Sequence, residues 1–120
     1  MKNLENALSP VVRIPLLTAV LDCPKTVARI EIRRVVMSLN IASGPHLHPC
    51  PVVGVILEGS VSFQVDGEPA RVLHTGDAFY EPANIRIPHF DALEQGASFV
   101  AHYLLGTGET ETIQMLEELS

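Results

Sequence analysis

His46-Leu47-His48-Pro49-Cys50-Pro51-Val52-Val53-Gly54-Val55-Ile56-Leu57-Glu58-Gly59 is the stretch on which the fold turns. Its two histidines stand two residues apart, so on an extended chain both imidazoles face the same way and can converge on one ion or one ligand. The spacing alone does not make a metal site, because surface or hydrogen-bonded histidines share it. Val52 to Leu57 is an unbroken aliphatic run stopped by Glu58-Gly59, the pattern of a buried strand ending in a turn. Cys50 keeps the parity of His46 and His48 and can face the same space, although Pro49 and Pro51 interrupt any regular ladder there. With no base beside it, the thiol reads first as buried and inert.

Outward from this stretch, turn signals recur at Ser43-Gly44-Pro45, Asp66-Gly67, Thr75-Gly76-Asp77 and Gly106-Thr107-Gly108. The β-branched runs between them are too short for ordinary helices, which is the rhythm of an all-β sandwich or barrel. Thr26 to Leu39 alternates, with Arg29, Glu31 and Arg33 on one parity and Ala28, Ile30 and Ile32 on the other, as a strand with one face to water requires. Val61 to Val65 alternates as well and leads into Asp66-Gly67, a dipeptide suited to a tight hairpin. Phe99 to Leu105 reads as a second buried strand, broken in polarity only by His102 and the Tyr103 hydroxyl. After Gly108, Thr110 is placed to cap a short helix whose apolar stripe is Ile113, Leu116 and Leu119. The expected organisation is an N-terminal segment over 1–25, loosely held in its first ten residues, partly extended and contributing an edge strand. A barrel core over 26–107 and the short C-terminal helix over 108–120 complete it.

With 120 residues and 47% apolar content, the chain can bury one core without disulfides or a structural metal. Its formal charge of -6 disfavours nucleic acid as a partner. Lys2 and Glu5 precede any apolar run, unlike a signal peptide, so Cys23 and Cys50 point to a reduced, cytoplasmic setting. Val11 to Leu21 contains Pro15 and is too short to span a bilayer, so no membrane partner is expected.

Residues 46–59, together with Phe63-Gln64-Val65-Asp66-Gly67, resemble the first conserved motif of the cupin family. Gly76-Asp77-Ala78-Phe79-Tyr80-Glu81-Pro82 resembles the second. The resemblance implies an antiparallel jelly-roll β-barrel, frequent homodimers, and a divalent metal held inside by three histidines and a glutamate. It places the first two ligands at His46 and His48 and the closing glycine at Gly59. The family's glutamate falls on Val52 and its last histidine on Ile87, neither of which binds a metal. His89 lies two residues beyond Ile87 with the same facing and is the candidate third ligand, although a bulge after Pro82 must offset a displacement of about 6 to 7 Å. Asn84 stands where the family has a glycine, and the leading glycine falls on Asn40; asparagine is the next best residue for a left-handed turn.

The implied centre is therefore His46, His48 and His89 without a carboxylate. Imidazoles alone can hold Zn, Fe, Ni, Mn or Cu, but weakly and with strong pH dependence. Otherwise the histidines hydrogen-bond an organic ligand directly. Cys50, Val52, Gln64, Tyr80, Ile87 and His102 are the further pocket candidates, with satisfied core packing the plainer role for His102. Glu81 reads first as part of a solvated face and second as a polar pocket contact, and His74 as a solvated turn residue. The function these features suggest is small-molecule binding in the barrel, through a metal or without one. The alternative is a metal-dependent enzyme such as a three-histidine oxygenase; a third possibility, recognition of a protein partner by the surface, has no sequence feature behind it.

Overall fold

The computed structural model describes residues 10–117. Its strands are β1 (Arg29–Met37), β2 (His46–Leu47), β3 (Val52–Gln64), β4 (Arg71–His74), β5 (Ala78–Glu81), β6 (His89–Leu105) and β7 (Gln114–Met115). Every pairing is antiparallel. β3 runs through the middle of the larger sheet, with β6 along one flank and β4 and β5 along the other; β1 lies outside β6 and forms the edge. β2 and β7 form a second, two-stranded sheet, tied to the rest by single bridges at His46–Ile87 and Ala42–Asp91. This is the all-β antiparallel jelly roll. Its ladders do not close into a continuous ring among the described residues.

Alternation sorts the side chains. In β3, Val52, Gly54 and Ile56 are buried while Val53 and Val55 are half-buried; in β5, Phe79 and Glu81 are buried while Ala78 and Tyr80 are half-buried. The inward row ends in an aromatic cluster of Phe63, Phe79, Phe90 and Phe99, with ring centroids 4.7 to 6.0 Å apart in tilted and edge contacts. Gly54 makes room for it: a Cβ there would lie 2.4 Å from Phe79 Cζ and 2.3 Å from the Val100 carbonyl oxygen. Gly59 sits within the register shifts of the β3–β6 ladder at φ 78°, where a Cβ would meet the Gly96 carbonyl at 2.0 Å. The two asparagines at family glycine positions, Asn40 and Asn84, do adopt left-handed backbone, with φ 54° and 61°.

Two expectations meet a different outcome. The C-terminal helix is not formed: through Glu117 the chain stays extended, and Gln114–Met115 pairs with His46–Leu47. A stripe of two or three apolar residues holds too little helix-stabilising packing to compete with a ladder partner that satisfies its backbone. Leu119 and residues 1–9 lie outside the described residues. The Asp66-Gly67 turn is present, but the ladder closes at Phe63–Arg71 and the connection is wider than a two-residue hairpin. Here the Asp66 N–H donates to the Arg86 carbonyl at 2.9 Å, and Pro69 has no N–H to give the ladder. Among the described residues of the N-terminal segment, 10–28 carry no strand, and β1 is the outermost strand of the larger sheet. Leu16, Leu17, Ala19 and Leu21 lie along the outer sheet face, lining an open groove whose other residues include Val53, Tyr80 and His102.

Candidate metal centre

His46 opens β2 and His48 follows it at the same parity; their relative exposures are 4% each, and Glu81, the last residue of β5, is 3% exposed. Glu81 Oε2 lies 3.5 Å from His46 Nε2 and 3.4 Å from His48 Nε2. The donor atoms of the three side chains all fall within 4.8 Å of one another. Three elements meet here because the small sheet carrying the histidines faces the inward row of β5.

The orientation of both rings is set by backbone carbonyls. His46 Nδ1 donates to the Gly44 carbonyl at 2.8 Å, and His48 Nδ1 donates to the Thr112 carbonyl at 2.6 Å. A carbonyl can only accept, so in each neutral ring the proton is on Nδ1 and Nε2 presents a lone pair. Both Nε2 atoms lie 3.4 to 3.5 Å from a buried carboxylate oxygen that has no hydrogen-bond partner. Three electron-rich atoms converging in a dry site repel one another unless a cation stands among them. A proton on a ring or a metal ion can fill that role. Fixing Nδ1 by a second hydrogen bond is also how metal-ligating histidines are commonly oriented.

Electrostatics carries the same signature. Burial would lower the pKa of His46, but the Glu81 carboxylate and the Gly44 carbonyl outweigh it and hold the ring above its usual 6.5. Burial would raise Glu81, yet the two imidazoles hold it below its usual 4.5. Tyr103, whose ring centroid is 5.8 Å from that of His48, has its hydroxyl pushed up by burial and then by Glu81.

The carboxylate missing from position 52 is supplied from the neighbouring strand. Val52 is fully buried and pairs directly with Glu81 across the β3–β5 ladder, so the two side chains share one face about 4.5 to 5.5 Å apart at Cβ. Ile87, at the family's last histidine position, is fully buried and bridged to His46 by paired backbone hydrogen bonds of 2.7 and 3.2 Å. It lies beside the group as apolar wall.

His89 lies elsewhere: its side chain is half-exposed, and its Nδ1 is 2.9 Å from Asp91 Oδ2. No bulge draws it inward, because Gln64–His89 is already a regular pair of the β3–β6 ladder. Cys50 is buried, and burial pushes its thiol up, away from the reactive thiolate. Gln64 donates to the Glu68 carbonyl at the surface end of β3. Tyr80 and His102 are on the outer parity, and His102 Nδ1 donates to the Val53 carbonyl at 3.0 Å. Sequence reasoning ranked Glu81 as a solvated residue; the signal against that was its parity with Phe79, which put a charge on the buried row. The Thr112 carbonyl had no signal, since it depends on the C-terminal segment being extended.

Residues 35–90 match the Cupin domain family. Over this segment the chain is similar to the cupin family. Solved structures of similar fold include the DMSP lyase DddQ from Ruegeria pomeroyi DSS-3, at 22% identity and a TM-score of 0.64 over 72% of this chain and 42% of that one. The oxalate decarboxylase from Bacillus subtilis is similar at 19% identity and a TM-score of 0.65, over 72% of this chain and 24% of that one. An RmlC-like cupin from Shewanella frigidimarina NCIMB 400 matches at 20% identity and a TM-score of 0.57, over 66% of this chain and 68% of that one. The chain thus spans less than half the length of the DMSP lyase and of the oxalate decarboxylase. No curated protein matches it in sequence.

Proposed function

We propose that this cupin is a metal-dependent protein for a small molecule, with His46, His48 and Glu81 holding one divalent transition ion. The observation that carries the proposal is the buried, unpartnered Glu81 Oε2 facing two imidazole lone pairs. Two neutral imidazoles and one carboxylate leave a single positive charge on a divalent ion, a better balance than three histidines. The same donor combination is the one used by non-haem iron(II) proteins with open positions. When bound, such an ion supplies Lewis acidity or one-electron chemistry at the positions the protein leaves open.

The chain's own residues do the rest. Glu81 would neutralise charge, and the Gly44 and Thr112 carbonyls hold the Nδ1 proton of each ring, so that Nε2 of the neutral form is the free donor atom. Val52, Ile87 and Tyr103 exclude water from the group, since all are buried. Only the neutral form of His46 offers Nε2, so an ion would be held there in competition with the second proton that Glu81 favours on the ring. Neighbours of the same fold named as oxalate decarboxylase, oxalate oxidase and DMSP lyase support the catalytic form of this reading, with a small oxygen-donor molecule as substrate.

The test is elemental analysis of the full chain after exposure to Mn, Fe, Co, Ni, Cu and Zn ions and removal of excess. One equivalent of ion is expected in the wild type and in His89→Ala, and none in His46→Ala or Glu81→Ala. A wild type that retains no ion, or a Glu81→Ala protein that retains a full equivalent, overturns the proposal.

A further inference from the structure

His46, His48 and Glu81 are each only 3 to 4% exposed, so an ion or a small molecule reaches their donor atoms only when one of the walls around them moves. The walls are not equally secure. Val52 and Glu81 belong to β3 and β5, and β3 is laddered along both flanks. Ile87 is joined to His46 by two backbone hydrogen bonds. A further wall, residues 112–116, is held by much less. Its ladder is the two-residue strand β7 against His46–Leu47, extended by the Leu116 N–H, which donates to the Pro45 carbonyl at 2.9 Å. Ile113 and Met115 are 45% and 56% exposed, so docking buries little apolar surface, and segments of that kind open locally at the smallest free-energy cost. The sequence also works against the extended state, since Glu111, Gln114, Met115, Leu116 and Glu117 are helix formers. The upstream end is fixed, by contrast: Glu109 Oε1 accepts the Gly106 N–H at 2.7 Å, and Lys25 Nζ bonds both Glu109 carboxylate oxygens at 2.8 and 3.0 Å.

This weakly held piece of chain bears on both imidazoles. The Thr112 carbonyl accepts from His48 Nδ1. Met115 lies over Gly44, where a Cβ would meet its Cε at 3.2 Å, and the Gly44 carbonyl accepts from His46 Nδ1. We infer that residues 112–116 are the movable wall through which an ion and a small ligand enter, and the positioning segment that aims His46 and His48 once it closes; the inference rests on the metal reading of the site. The wall swings beyond the fixed point at Glu109. Opening takes the carbonyl from His48 Nδ1 and the Met115 side chain from Gly44, and closing restores both. By linkage, an ion held at His48 Nε2 tightens the segment by the same factor as the closed segment tightens the ion.

The experiment uses the full chain carrying Leu47→Cys and Gln114→Cys in a Cys23→Ser background. Leu47 and Gln114 are directly paired, on the opposite parity to His46 and His48, and Cα atoms about 4.5 to 5.5 Å apart in such a pair are within disulfide reach. Oxidation of the metal-free protein locks the segment and reduction frees it. Uptake of Co2+, read from its visible absorption, and its release to excess EDTA are each expected to be at least about tenfold slower in the oxidised form than in the reduced form. A second variant loosens the wall. The Gln114 N–H, like that of Leu116, faces the partner strand by the alternation of the ladder, and Gln114→Pro removes it. That variant should bind Co2+ about 10- to 100-fold more weakly, with the urea midpoint of its metal-free form close to that of the wild type, which a general loss of folding does not allow. A third measurement needs no ion: in the metal-free wild type the Leu116 amide should exchange with deuterium at least about a hundredfold faster than the Ile56 amide of β3. Equal Co2+ rates in the oxidised and reduced forms overturn the inference. So does wild-type affinity in Gln114→Pro, or a Leu116 amide that exchanges as slowly as that of Ile56. A wild type that takes up no Co2+ overturns the metal reading of the site, and is told apart from these results because the deuterium measurement is made without ion.

Discussion

The two ends of this protein's interior are built from the same rows of side chains and do opposite things. At one end Phe63, Phe79, Phe90 and Phe99 fill the space between the strands with ring on ring. At the other His46, His48 and Glu81 bring three polar atoms into an equally dry place and leave one of them unpartnered. On β5, Phe79 belongs to the first and Glu81 to the second, two residues apart on the same face. Strand alternation therefore decides what is inside, and residue chemistry decides whether the inside is packed or poised. The phenylalanines contribute burial energy, about 1.5 to 3 kcal/mol for each fully buried ring. The polar group costs stability until a cation or a proton joins it.

The contrast is broken most severely by Phe79→Ala, which removes the ring over Gly54 and contacts with three other phenylalanines. It is expected to destabilise the fold by about 3 to 5 kcal/mol, read as a shift in the urea midpoint of the metal-free protein. The next effect is on the ion. Glu81→Val should weaken ion binding by more than the roughly 10- to 100-fold typical of losing an outer-shell partner, measured by competition with a chelator. Combining it with Val52→Glu moves the carboxylate one step across the ladder to its directly paired position and should recover most of the affinity. Recovery sharpens the view that the ladder partner is an equivalent seat for the carboxylate; none would show that the β5 side is required.

Acidity separates the ends further, because the aromatic end does not titrate. Glu81, held below 4.5, contributes stability that is present above 4.5 and is lost as pH falls through its lowered value. His46, held above 6.5, contributes stability that is fully present below 6.5 and is lost as pH rises through its raised value. The metal-free protein is thus expected to draw most from this pair between pH 4.5 and 6.5, visible as a drop in Tm on either side. Ion binding should run the other way at neutral pH, tightening as pH rises because the ion displaces the His46 proton. The smallest effect belongs to His89→Ala: an exposed His–Asp pair is worth about 0 to 1 kcal/mol, so stability should scarcely change and ion content should not change at all.

The buried runs at Val52–Leu57 and Phe99–Leu105, the alternation of Val61–Val65 and the shared facing of His46 and His48 follow from local chemistry, since facing on a strand depends on parity, whereas the left-handed asparagines were legible through the resemblance to cupin motifs. The parity of Glu81 with Phe79 was readable too, but a lone carboxylate is more often solvated, and nothing local reveals two imidazoles arriving from another sheet. His89 shows the converse: it does not share the inward facing of Ile87, because the buried row resumes at Phe90 and Ala92 and leaves His89 at the surface beside Asp91.

Residue order therefore accounts for the strands, their inward rows and the seats of His46 and His48, because each rests on interactions within a few residues. The long-range contacts supplied what spacing could not: Glu81 as the third donor through its pairing with Val52, the Thr112 carbonyl that turns His48, and the extended C-terminal segment that brings it there. Those features depend on which strands lie side by side, and adjacency across a sheet is settled by the packing of the whole core and by the pairing of every buried backbone group.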